Sequence, residues 1–202
     1  MSFIDYEEMA RITDKRIVKS RRSIFEALVN LLHDKSLSQI TVTELCDHAV
    51  INRKTFYSQY NSVNAAFYDL QKNIILAFIG HMESNNIIGF RTFNAQEFIL
   101  ETDRIVESHV DSFNSLFPYL RSGDFYQILG EELGKTASRY CNRYGGDKDK
   151  SIYLPAMVFS VTGLLTSYFD WIHLGRVVPL ENVVKMAEHV INQPLIDLLT
   201  KH

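Results

Sequence analysis

Thr41, Thr43, Asn52, Arg53, Lys54, Thr55, Tyr57 and Ser58 place eight hydrogen-bonding side chains within a short stretch of this chain. Arg53 and Lys54 bring fixed positive charge suited to phosphate oxygens. The hydroxyl and amide groups around them supply donors and acceptors at short reach. Chemistry of this kind is recognition rather than bond-breaking.

The elements that must carry these groups can be read from the surrounding residues. Thr41-Val42-Thr43-Glu44 has the form of a capping box, in which the threonine hydroxyl takes the N–H of Glu44 and the glutamate reaches back. Val42, Leu45 and Ala49 follow as an apolar stripe at helical spacing. Asn52 has the form of a second N-cap, opening a short helix with Arg53, Lys54, Thr55, Tyr57 and Ser58 as an outward row of donors. Two short helices joined by a tight bend make a helix-turn-helix. Its second helix enters the major groove with its N-terminal residues at base edges, so the pattern implies duplex DNA as the partner.

Composition agrees with a folded helical chain. Of 202 residues, 46% are hydrophobic and 22% charged, and four prolines and nine glycines are thinly spread. The net charge of −3 is unevenly divided: residues 11–60 hold nine Lys/Arg against five Asp/Glu, which leaves the remainder acidic. Such a division suits a basic reader of DNA joined to a separate second domain. Cys46 and Cys141 match no metal-ligand spacing and read as reduced thiols. The first ten residues lack the apolar core of an export signal, and the expected location is cytoplasmic.

Further along, Ser20 is expected to cap a helix running to about Asp34, with Ile24, Phe25, Leu28, Leu31 and Leu32 on one arc. Arg11, Lys15, Arg16, Lys19, Arg21 and Arg22 then form either a flexible arm over phosphates or a solvated tail. Asn61-Ser62 caps a fourth helix over roughly Val63 to Met82. Asn85 to Asn94 is a break, a new helix starts at Asn94 or Ala95, and Gly123 and Gly145-Gly146 mark further breaks. Pro179 opens a final helix that Pro194 kinks or ends. The whole reads as eight to ten helices with no clear strand signal.

Ile152–Phe169 carries no charge and invites a membrane reading. Leu154, Met157, Val158, Val161, Leu164, Leu165, Tyr168 and Ile172 fall on one half-cylinder of a helix there. Ser160, Thr162, Gly163, Thr166, Ser167, Asp170 and His173 fall on the other, a division that favours a helix packed on two unlike surfaces. No membrane partner is expected, and Ser160, Gly163 and Ser167 suit a subunit interface. His109 with Asp111, and Asp170 with His173, lack a third convergent ligand and read as surface or packing groups, as does His81. No nucleophile elbow, glycine-rich phosphate loop or metal run is present, so no enzyme, metal or cofactor is expected.

SIFEALVNLL, ITVTELCDHAVINRKTFYSQY and the helix after NSV together resemble the TetR family of bacterial transcription regulators. Thr55-Phe56-Tyr57 followed by Tyr60 is the most specific part. Ile-Asn-Arg before that triad, and HVDSFNSLFPYLRSGDF later, are similar to a Firmicutes-type branch. The resemblance implies an all-α homodimer, with an N-terminal three-helix DNA-binding head (1–62) and a C-terminal helical regulatory and dimerisation domain (63–202). It implies a sequence-specific regulator on a pseudo-palindromic operator, commonly a repressor, with an unidentified small-molecule effector in the C-terminal body. Carried over by position, Arg53 reads a base edge, while Lys54, Tyr57 and Ser58 hold phosphates. Thr55 touches a thymine methyl or completes the cap, and Thr41 and Thr43 reach phosphate at a helix N-terminus. Phe56 and Tyr60 are core aromatics.

Two residues depart from the family pattern. Val50 stands where glycine is usual in the turn, so the turn is expected to avoid positive φ. Val63 stands where a phosphate-binding lysine is usual. Both motivate an alternative: a partner-dependent co-regulator or interaction protein with weak intrinsic DNA binding.

Overall fold

The computed structural model describes residues 15–90, 92–145 and 147–192; the early basic residue Arg11 and the late Pro194 lie outside them. Nine α-helices occur among the described residues. They group into two compact units.

The first unit holds the residues up to Ala77 together with His109–Leu120. It contains α1 (Lys15–Asp34), a 3-10 turn at Leu37–Gln39, α2 (Val42–His48), α3 (Arg53–Tyr57), the first part of α4 (Val63–Ser84) and α6 (Val110–Leu120). Helix α1 buries Ile24, Phe25, Leu28, Leu31 and Leu32 and packs against α2 and α6. Helix α6 joins this unit through Phe113, Leu116 and Leu120, although it lies far along the chain. Its Tyr119 hydroxyl accepts from the Leu37 N–H at 2.8 Å, and the Tyr119 ring meets Phe67 edge-on at 4.9 Å.

Ser20 does not cap α1. The helix already runs from Lys15, so the described part of the expected arm is helical. Nothing in KRIVKS breaks a helix, and the buried Ser20 hydroxyl donates back to the Arg16 and Ile17 carbonyls at 3.1 and 3.0 Å.

The second unit holds Phe78–Ser108 and the residues from Arg121. It contains the end of α4, α5 (Ala95–Ser108), α7 (Gly123–Tyr144), α8 (Asp147–His173) and α9 (Leu180–Ala187). The all-α expectation holds among the described residues apart from a small antiparallel hairpin, β1 (Ile88–Gly89) with β2 (Thr92–Phe93), paired Ile88 to Phe93 and Gly89 to Thr92. Asn94 accepts from the Glu97 N–H at 3.0 Å and starts α5, while Ser122 accepts from Phe125 at 3.2 Å and starts α7. Helices α7 and α8, joined by a short glycine-bearing link, make the most extensive pairing, and α5 packs on α8 and α9.

Helix α8 is long and apolar enough to cross a membrane, yet Tyr153, Met157, Val161, Leu164, Leu165 and Tyr168 are buried within the protein. Ser160 corrects the expected division of its faces. It is buried with that row, its hydroxyl satisfied by the Ala156 carbonyl at 2.8 Å. Pro155, Phe159 and Thr166 lie outward.

Three helices close in the same way, with a left-handed residue and an N–H reaching back five residues. Ile51 reaches Cys46, Ile87 reaches Met82 and Arg176 reaches Trp171, at 3.0, 2.9 and 2.9 Å. The left-handed positions are Val50 (φ 53), Asn86 (φ 57) and Gly175 (φ 84), with Arg176 (φ 54) beside the last. Asparagine and glycine suit that conformation, whereas valine does not. The expectation that Val50 would force another geometry is therefore overturned: the paired hydrogen bonds that end α2 outweigh the clash of a branched side chain.

That strain has a measurable consequence. Left-handed backbone costs a branched residue about 1–2 kcal/mol, and the unfolded freedom of glycine returns about 0.5–1 kcal/mol of any gain. Val50→Gly is expected to stabilise the protein by up to about 1 kcal/mol, which raises the thermal midpoint by roughly 2–4 °C. An unchanged or lower midpoint in a calorimetric scan would show that valine sits in this turn without cost.

Candidate nucleic-acid interface

The interface is assembled from caps. Thr41 Oγ1 accepts from the Glu44 N–H at 3.2 Å and opens α2. The Glu44 carboxylate accepts from Lys35 Nζ at 2.5 Å, which ties α2 to the end of α1. That Lys35 hydrogen bond, helped by the Thr41 backbone N–H and opposed by partial burial, holds the Glu44 carboxyl below its ordinary value of 4.5. Leu45 and Cys46 turn inward, and burial pushes the Cys46 thiol up, which keeps it unreactive.

Asn52 opens α3 as its residue type implies. Its Oδ1 accepts from the Thr55 N–H at 2.7 Å and from the Thr55 hydroxyl at 2.9 Å. Ser58 donates to the Thr55 carbonyl at 2.7 Å and fastens the other end. Asn52, Thr55 and Ser58 are thus engaged within the helix, with Thr55 half-buried. Arg53, Lys54 and Tyr57 are exposed on its outer side. The Arg53 guanidinium donates to the Thr43 hydroxyl of α2, which brings two of the candidate residues together across the turn.

Phe56 is fully buried beneath α3 and lies 5.8 Å from the buried Tyr60 ring. The Tyr60 hydroxyl donates to Asp69 Oδ2 of α4 at 2.5 Å and accepts from Arg21 Nε of α1 at 3.2 Å. Arg21 Nη2 closes the triangle on Asp69 at 2.5 Å. Burial first, and the bond to Asp69 second, push the Tyr60 phenol well above its ordinary range, so it remains a neutral donor. Gln59 Nε2 adds a bond to Ser20 Oγ at 2.6 Å.

The residue pattern does not announce this clamp: Arg21, one of six bases that read as an arm or a solvated tail, is paired internally with Asp69 in the folded chain. No periodic signal links residues 21, 60 and 69, and Asp69 is one of several polar residues on α4.

No family model matches the chain, and no curated protein sequence does. A solved structure does match it. The chain superposes on a TetR family repressor from Dietzia sp., AlkX, implicated in n-alkane biodegradation, with a TM-score of 0.50. The alignment covers 88% of this chain and 95% of that one, at 16% identity. The fold is TetR-like. At that identity the two chains share an architecture rather than a set of side chains.

Two outcomes follow from the geometry. Asp69→Ala leaves a half-buried guanidinium and a buried phenol without their shared acceptor, and is expected to cost about 1–3 kcal/mol of stability. Tyr60→Phe is expected to cost less, and the double variant less than the sum of the two. Strictly additive losses in denaturant titrations would show that the triangle is not a unit. For Glu44, the folded carboxyl lies below the unfolded value, so its stabilisation is full above about pH 4.5 and fades as pH falls through the folded value. Glu44→Gln is therefore expected to lower the thermal midpoint at neutral pH, with the difference shrinking by about pH 3. A loss equal at both pH values would mean that the Lys35 ion pair contributes nothing.

Proposed function

We propose that this protein is a homodimeric, sequence-specific DNA-binding transcription regulator that acts as a repressor. The observation that carries the reading is the pair of capped helices α2 and α3, with Arg53 and Lys54 exposed at the start of α3 and Phe56 buried beneath it. A helix so anchored presents its N-terminal side chains to a major groove. Arg53 reads a base edge, and Lys54 and Tyr57 hold phosphates, while Ser58, whose hydroxyl donates to the Thr55 carbonyl, fastens the end of the helix. Thr41, Asn52 and Thr55 support the contact through their caps.

Two copies place two heads on successive major-groove faces of a pseudo-palindromic operator. The uncharged outer row of α8, where Phe159 is 68% exposed beside Pro155 and Thr166, supports a face for the second copy. Control by a small molecule would act through the C-terminal body, by binding one spacing of the heads more tightly than another. The protein is read as a non-enzymatic, cytoplasmic regulator with a Firmicutes-type body.

Arg53→Ala is expected to cost about 1–3 kcal/mol on the cognate site and little on random duplex. Lys54→Ala is expected to weaken both and to reduce the salt slope by about one. These are read by titrating labelled duplexes across salt concentrations. Losses from Arg53→Ala that are equal on both duplexes would remove it from base reading, and an unchanged slope would remove Lys54 from phosphate.

A further inference from the structure

Arg53 is exposed and is the first residue of α3, yet its guanidinium is held, because Nη2 donates to Thr43 Oγ1. Thr43 is the second residue of α2, on the far side of the turn. Its hydroxyl is a well-placed acceptor, because the branched Cβ leaves threonine few side-chain rotamers and a hydroxyl oxygen can accept wherever its own proton goes.

We infer that Thr43 is a positioning residue that aims Arg53 at a base edge, and that it sets sequence specificity instead of holding a phosphate. The inference rests on the DNA-binding reading above and sharpens it. An arginine has five N–H donors, so one bond to Thr43 leaves a fork for the O6 and N7 of guanine. A long side chain restrained before contact loses less rotamer freedom on contact. Thr43 therefore stabilises the specific complex without touching the base. A phosphate-binding threonine would behave differently: it would contribute alike to every duplex.

The test uses the full chain with Thr43→Val and Thr43→Ser. Valine keeps the shape and removes the acceptor; serine restores it. Thr43→Val is expected to weaken binding to the selected site about tenfold, to relax preference at one base pair of each half-site, and to leave random-duplex affinity and the salt slope unchanged. Thr43→Ser is expected to recover most of the loss. A loss equal on both duplexes, or no loss on either, would overturn the assignment.

A second measurement needs no DNA. Nitrogen-15 relaxation at the Arg53 side chain in the free protein is expected to show restricted motion that Thr43→Val releases and Thr43→Ser restores. An Arg53 as mobile in the parent as in Thr43→Val would overturn the positioning role by itself. Restrained Arg53 with no sequence preference in the parent protein would instead overturn the DNA reading, and the role with it.

Discussion

A helix of five residues has no stability of its own, since nucleating one turn already costs more than a few hydrogen bonds return. Helix α3 therefore holds its position through what lies beneath and behind it. Phe56 is fully buried under the helix, and Tyr60, just past its end, is fastened to α1 through Arg21 and to α4 through Asp69. Everything proposed for the outer face depends on that anchoring. A guanidinium can discriminate bases only if the helix carrying it keeps its angle, and the buried aromatic together with the ionic triangle fixes that angle from two sides.

The same device recurs in the second unit. A tyrosine hydroxyl donates to a carboxylate on another helix at Tyr168 with Asp103, 2.7 Å apart, and at Tyr140 with Glu83. In each pair burial first, then the carboxylate bond, drives the phenol upward, so the donor stays protonated across the physiological range. Helix bundles of mixed packing need such points of fixed register, because apolar faces alone tolerate sliding. Here each point joins helices that are distant in sequence: α8 to α5, and α7 to α4.

Local chemistry was legible from the residues. Thr41 and Asn52 cap because a short side-chain oxygen precedes a helical run, and the structure places both as expected. Ser20 has the same chemistry but sits inside α1. Residue type cannot separate a cap from a back-bonded helical serine when the preceding residues also favour helix. Val50 was misjudged for a related reason. Side-chain preference opposed the left-handed turn, while the two backbone bonds that impose it become visible only in the fold. The membership of α6 in the first unit depends on contacts between Phe113, Leu116 and Leu120 and a helix some ninety residues earlier, about which a local pattern is silent. The candidate site was half legible: its residues lie where the motif implies, but the bond from Arg53 to Thr43 and the triangle around Tyr60 link positions that follow no period.

The most direct measurement is selection of binding sites from a random pool of duplexes by the purified protein at moderate salt. The account expects recovery of an inverted repeat whose half-sites lie about one helical turn apart, as two anchored α3 helices on a symmetric dimer require. Folded protein that enriches no sequence would contradict it and would leave the exposed face of α3 without its assigned partner.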